Sequence, residues 1–141
     1  MQQTGDRISV VESCAQDTYD WLDRVGLELD DDRHLALCAL RAVLHALRDH
    51  LSVEQNAHLA AQFPTFIRGL YFEQWTPDAP SLGRDRELFL AAIERHMGGY
   101  EDRCSGEEAA VAVFIVLGER LSGGAEKIRN ALPTPIRDLW Y

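Results

Sequence analysis

His34 and Cys38 are the best-spaced pair of metal-ligating side chains in the sequence. Four residues apart on a helix, an imidazole and a thiolate can face one ion. An offset of 70 residues sets Cys104 against His34 as a third donor. A structural zinc site takes four donors, and His45, His50, His58 and His96 stand at no spacing that supplies another. Cys38 also falls near the apolar face of its helix, where a thiol behaves as a small hydrophobe. Asp31-x-x-His34 is not the paired Glu-x-x-His of a di-iron bundle. Asp30-Asp31-Asp32 is too compact for a calcium loop and suits a helix start. The segment SGGAEK at 122–127 follows a helix rather than a strand and lacks phosphate-loop spacing. There is no GxSxG elbow and no Cys with an implied His partner. The expectation is no catalytic, metal-binding or cofactor-binding residue. Cys14, Cys38 and Cys104, odd in number and far apart, are expected as reduced thiols.

What remains is a repeated combination of arginine and aromatic residues. Ile67-Arg68-Gly69-Leu70-Tyr71-Phe72 and Ile136-Arg137-Asp138-Leu139-Trp140-Tyr141 carry an Arg at the same place, and Trp75 follows the first. Arg, Tyr and Trp dominate protein-contact energetics, whereas a short helix this apolar usually packs on its neighbours. Arg68, Arg137, Tyr71, Trp75 and Trp140 are therefore candidates for interaction or for structure, with burial the favoured reading. An unpaired guanidinium is costly to bury. Each Arg is thus expected to fork onto an acid (Asp49 in one copy, Glu119 in the other) or onto helix-end carbonyls, fastening the short helix to the long one.

The elements that position these residues come from an internal repeat. AVLHALRDHLS at 42–52 aligns with AVFIVLGERLS at 112–122, and FPTFIRGLYF at 63–72 with LPTPIRDLWY at 132–141. A fainter match sets Trp21, Leu22 and Val25 against Phe89, Leu90 and Ile93. Leu40, Val43, Leu44, Leu47 and Leu51 form the stripe of a core-facing helix, and Ala110, Val113, Phe114, Leu117 and Leu121 repeat it. Val11, Cys14, Thr18, Trp21, Leu22 and Val25 line an earlier helix, as do Phe89, Ile93 and Met97 in the second copy. Ser9 with Glu12, Ser52 with Gln55, and Ser105 with Glu108 have capping-box spacing. Gly98-Gly99 suits a left-handed helix stop. Thr134-Pro135 reads as cap and first helical residue, and its counterpart Thr65 predicts a short helix over 66–73. The reading is all-α: a compact helical bundle of two repeated units, each of about four helices (two long, two short), related by a pseudo-twofold. The first repeat spans 1–72, a Pro-, Asp- and Gly-rich linker 73–83, and the second 84–141.

With 46% hydrophobic and 26% charged residues, the 141-residue chain has an ordinary globular composition. A net charge of −9, from 23 acids against 14 bases, repels phosphate backbones and disfavours nucleic acid as a partner. The start of the chain lacks the basic head and apolar stretch of a secretory signal. The longest apolar run, Ala109 to Gly118, is about half of what spans a bilayer. A cytoplasmic protein with no membrane partner is expected.

The segments AVLHALRDHLS, FPTFIRGLYFEQW and LPTPIRDLWY resemble a bacterial family catalogued as "domain of unknown function 2267", from about Thr18 to Tyr141. The resemblance implies a small all-helical cytoplasmic protein with no established activity and no catalytic residues to carry over. The family pattern usually has Gly after the Glu of LYFEQW; this chain has Gln74. The function expected is that of a non-catalytic binding or assembly module with a protein partner or a second copy of itself. The alternative is a small-molecule or metal-binding protein, with or without enzymatic activity, that uses the cleft between the repeats.

Overall fold

The computed structural model describes residues 5–77, 83, 85–100, 102–121 and 123–140. Residues 78–82 of the predicted linker, and Ser122 and Tyr141 of the repeat alignments, lie outside the described residues. Apolar residues at helical spacing, bounded by capping groups, give eight helices and no strand among the described residues. The helices are α1 (Ser9–Leu27), α2 (Arg33–Arg48), α3 (Val53–Ala60), α4 (Thr65–Tyr71), α5 (Arg86–Arg95), α6 (Gly106–Arg120), α7 (Gly124–Ala131) and α8 (Thr134–Arg137). The chain is all-α, as its periodicity predicts.

Local chemistry sets most helix ends. Ser52 with Gln55 and Ser105 with Glu108 both close complete capping boxes, at α3 and α6. Asp32 caps α2 by accepting from the His34 and Leu35 amides at 2.8 and 3.2 Å. Beyond α5, Gly98 and Gly99 take φ of 56° and 98°, the left-handed turn expected of that pair. Gly106, the first residue of α6, has another reason to lack a side chain: a Cβ there would sit 2.7 Å from the Leu90 carbonyl oxygen. Its amide donates to Glu94 Oε2 at 2.9 Å, so α6 starts directly against α5.

Other ends differ from expectation. The Ser9–Glu12 box does not form: Ile8 is the cap residue of α1 and makes no side-chain cap. Glu12 instead lies 3.7 Å from Arg7. Thr65 and Thr134 are first helical residues rather than caps, and α4 ends at Tyr71 rather than at 73. The prolines explain the shift. Pro64 and Pro133 hold extended backbone just before each helix, and their carbonyls accept from Arg68 and Arg137 at 2.9 and 2.8 Å. Gln74 adopts φ 55°, the left-handed conformation that Gly takes without penalty. The turn after α4 therefore keeps a glycine-like backbone although this chain places a side chain there.

Both predicted stripes are buried, from Leu40 to Leu51 and from Ala110 to Leu121, with Phe89, Ile93 and Met97 against them. Helices α1 and α2 pack together, as do α5 and α6, and α2 also lies on α5 and α6 while α1 lies on α6. Helix α4 covers α1 and α2, α8 rests on α5, and α3 meets α7. The forked pair of Arg24 with Glu119, at 2.8 and 2.7 Å, joins α1 to α6. Helix α1 buries only the second half of its apolar stripe. Trp21, Leu22 and Val25 are in the core, but Cys14 and Thr18 are only half-buried and Val11 is 61% exposed. Its apolar stripe continues past the body that covers its second half.

Candidate functional site

Neither repeated arginine reaches the acid proposed for it. Arg68 donates to the Ala60 and Phe63 carbonyls, both at 3.0 Å, and Arg137 to the Asn130 and Leu132 carbonyls at 3.5 and 3.1 Å. These carbonyls lie at or just beyond the ends of α3 and α7, where a cation is favoured by the helix dipole, and that of Ala60 also accepts from the Phe63 amide at 3.1 Å. Of the two acceptors expected, carbonyls win. The fastening therefore joins each short helix to the preceding short helix, not to the long one. The two acids are engaged elsewhere: Asp49 lies 3.2 Å from Arg48, and Glu119 is held by Arg24. That guanidinium keeps the Glu119 carboxyl below its ordinary pKa.

The long helix reaches α4 through residues that stand on no motif. His45 Nε2–H donates to the Leu70 carbonyl at 2.8 Å, and Arg48 Nη1 donates to the Tyr71 and Glu73 carbonyls at 3.0 and 2.8 Å. The Tyr71 hydroxyl donates to Asn56 Oδ1, while Asn56 Nδ2 donates to the Arg48 and Leu51 carbonyls at 3.0 and 3.3 Å. Asn56 is fully buried and Arg48 is 7% exposed. A buried polar group is tolerated when its bonds are made, and here each donor meets a helix-end or side-chain acceptor. Burial pushes the Tyr71 hydroxyl well above its ordinary pKa, which keeps it a donor. One signal in the sequence marks this cluster. The positions aligned with His45 and Arg48 are Ile115 and Gly118, and Tyr71 is answered by Trp140. In the second half the indole fills the space: a Cβ on Gly118 would lie 3.4 Å from Trp140 Nε1, and Trp140 stacks on Phe114 at 4.7 Å.

Of the remaining candidates, Tyr71 and Trp140 are buried, while Trp75 is half-buried against Phe72 at 5.0 Å. Their first role is packing. Burial also lowers the His45 pKa, ahead of the opposing Leu70 hydrogen bond. The ordinary value of 6.5 applies once the chain unfolds, so the unfolded state takes up the proton first as pH falls. The His45 contribution is constant above about pH 6.5 and is lost below it, at up to about 1.4 kcal/mol per pH unit. Urea midpoints measured from pH 7 to pH 5 are expected to fall more steeply for the wild type than for His45→Gln. Parallel curves would contradict this.

Of the sites weighed for metal chemistry, Cys38 and Cys104 come near enough to interact electrostatically. His34 is exposed, and the Cys38 thiol turns to the Met97 carbonyl at 2.6 Å. Burial pushes the Cys104 thiol up to about 11. No group of three His, Cys, Asp or Glu is placed to hold a metal among the described residues. Asp32 caps α2 and, with Asp30, meets Arg103 at 2.8 and 3.5 Å. The hollow between α3 and α7, about 490 Å³, is lined by exposed His58, Gln62 and Lys127 with half-buried Gln55 and Gly124 and buried Ile128.

A hollow of a different kind lies where α1 leaves the core. It encloses about 330 Å³ between Val11, Cys14, Ala15 and Tyr19 of α1, Leu37 of α2 and Phe66 of α4. Its walls are apolar, and their residues at Cys14, Ala15 and Thr18 are small, so another helix could approach closely. Phe66 is 49% exposed, with no ring contact to another aromatic side chain among the described residues. Periodicity named this face of α1 without saying what covers it.

Residues 18–139 match the family model described as "Uncharacterized conserved protein (DUF2267)". No curated protein matches the chain. No helix among the described residues is long and apolar enough to cross a membrane.

Proposed function

This chain belongs to the DUF2267 family, and we propose that it works as a non-catalytic binding or assembly module of the cytoplasm. In this reading it receives an apolar element of a protein partner on the face built by α1, α2 and α4. The supporting observation is where the exposed apolar side chains fall. Eight large hydrophobic residues are exposed among the described residues. Val11, Tyr19 and Phe66 line the hollow, and Ile8 and Val10 stand on the turn of α1 leading to it. Only Leu27, Val53 and Leu88 stand apart. Singly scattered apolar residues are normal, whereas a contiguous patch marks a contact surface. The charge of −9 favours protein over nucleic acid as the occupant.

The duplicated organisation belongs to the same reading. Two repeats, 1–72 and 84–141, related by a pseudo-twofold, account for α1 packing on α6 as α5 packs on α2, and for α4 on α1 as α8 on α5. A photo-cross-linking residue placed at position 66 is expected to join a protein in the native cell. The same residue at position 13, on the opposite side of α1, is expected to join none. Adducts at neither position, or equally at both, would overturn the reading.

A further inference from the structure

We infer that His45 is an acid-sensitive latch: its protonation frees the end of α4 and the turn after it, residues 70–75, from α2 while the rest of the body stays folded. Three carbonyls of this stretch are held by two α2 side chains. His45 holds that of Leu70 at 2.8 Å, and Arg48 holds those of Tyr71 and Glu73 at 3.0 and 2.8 Å. The stretch holds itself poorly. The amides that follow α4, of Phe72, Glu73 and Trp75, bond at 3.4, 3.3 and 3.2 Å, at or beyond the usual range. Gln74 between them stands in a left-handed conformation that a side chain disfavours. At the end of α8, by contrast, the Asp138, Leu139 and Trp140 amides bond at 3.0, 3.0 and 2.8 Å. The end of α4 thus depends on α2 for its attachment, and such a stretch can open without the core.

Of the two side chains that hold it, His45 alone changes charge in mild acid, since a guanidinium stays protonated. The ring is buried and meets charged or titratable groups from each element around it. On α2, Arg41 stands one turn before it and Arg48 one turn after, the latter 3.2 Å from Asp49. At the end of α5 the His96 ring stands edge-on to it, with centroids 5.9 Å apart. After α4, Glu73 Oε1 lies 3.8 Å from His45 Nε2, but the same oxygen is 3.1 Å from Arg41 Nε. A charge on His45 is therefore added beside Arg41, Arg48 and His96, with an already engaged Glu73 to answer it. Released into water, the imidazole takes up its proton without that cost. Burial holds the closed ring below its ordinary pKa of 6.5, so opening is favoured only as pH falls below that value, by up to about tenfold per pH unit. In the second half Ile115 aligns with His45, so α8 has no titrating group at the equivalent place. Helix α4 also supplies Phe66 to the apolar hollow, so release of its end reshapes that wall whether or not a partner occupies it.

The test is amide exchange of the full chain from pH 7 to pH 5, corrected for intrinsic rates and read separately for residues 70–75 and 136–140. In the wild type, protection of 70–75 is expected to fall by about five- to tenfold relative to 136–140. His45→Gln keeps a donor for the Leu70 carbonyl but takes no charge, and should lose this fall. His96→Gln should retain it. Circular dichroism checks that both variants are folded. A loss of protection shared equally by the two stretches, no loss in the wild type, or a loss that persists in folded His45→Gln overturns the latch. If His45→Gln does not fold, the wild-type comparison still decides together with His96→Gln, because a fall abolished by His96→Gln assigns the response to the other imidazole.

Discussion

Replacing Arg48 by Met is expected to destabilise the protein by about 3 kcal/mol or more, without loss of helical content in what remains folded. The side-chain stem is kept, so packing of a residue only 7% exposed is nearly unchanged. What disappears is the charged donor for two carbonyls, Tyr71 and Glu73, at the end of α4. Hydrogen bonds from a charged group contribute about 1.5–3 kcal/mol each, and a buried acceptor left without its donor bears a desolvation cost. Asp49 loses its neighbouring cation as well. The check is the urea midpoint of Arg48→Met beside that of Arg68→Ala. Arg68 is exposed and its bonds to the Ala60 and Phe63 carbonyls are only part-buried, so its loss should cost about 1 kcal/mol. An Arg48 variant as stable as the Arg68 variant would show that the buried network does not hold α4 down.

Trp140→Ala is expected to cost about 3–5 kcal/mol, the range for truncating a buried aromatic side chain. Trp140 is 4% exposed and stacks on Phe114 at an interplanar angle of 15°. In a protein of this size that loss lowers Tm by roughly 10 °C. The half-buried Trp75 gives the comparison, since Trp75→Ala removes fewer contacts and should move Tm by less. Thermal unfolding followed by circular dichroism decides between packing and surface roles. If Trp140→Ala left Tm in place, the indole would be a contact residue and its burial incidental.

How much of this was readable beforehand depends on how far apart the interacting groups lie. The stripes of α2 and α6, and the boxes at Ser52 and Ser105, involve partners three or four residues away, and periodicity captures such neighbours directly. The same spacing at Ser9 misled, because Arg7 offers Glu12 another partner and the residues of that turn are exposed. For Arg68 and Arg137, both signs of charge recur in both copies, which made a carboxylate attractive. The carbonyls are closer because Pro64 and Pro133 turn the chain back on the preceding helix. His45 and Arg48 look like the polar side of an amphipathic helix. Their acceptors lie 23–25 residues on, beyond any local pattern. Val11 and Thr18 show the opposite limit: periodicity identifies an apolar face but not what covers it.

The exchange of Arg48 with Tyr71 for Gly118 with Trp140 constrains how such positions can change over generations. An Arg placed at 118 alone would drive a guanidinium into the space the Trp140 indole approaches. A Gly at 48 alone would strand the Tyr71 and Glu73 carbonyls. Changes at 118 and 140 are therefore coupled and do not add, whereas Arg48 bonds main-chain carbonyls and does so whatever ring stands at 71. A side chain larger than Gly at 118 is therefore accommodated more readily after Trp140 has been replaced by something smaller than before. The order of change is then constrained, and a screen of single substitutions would class Gly118 as immutable although a smaller neighbour at 140 would make room there.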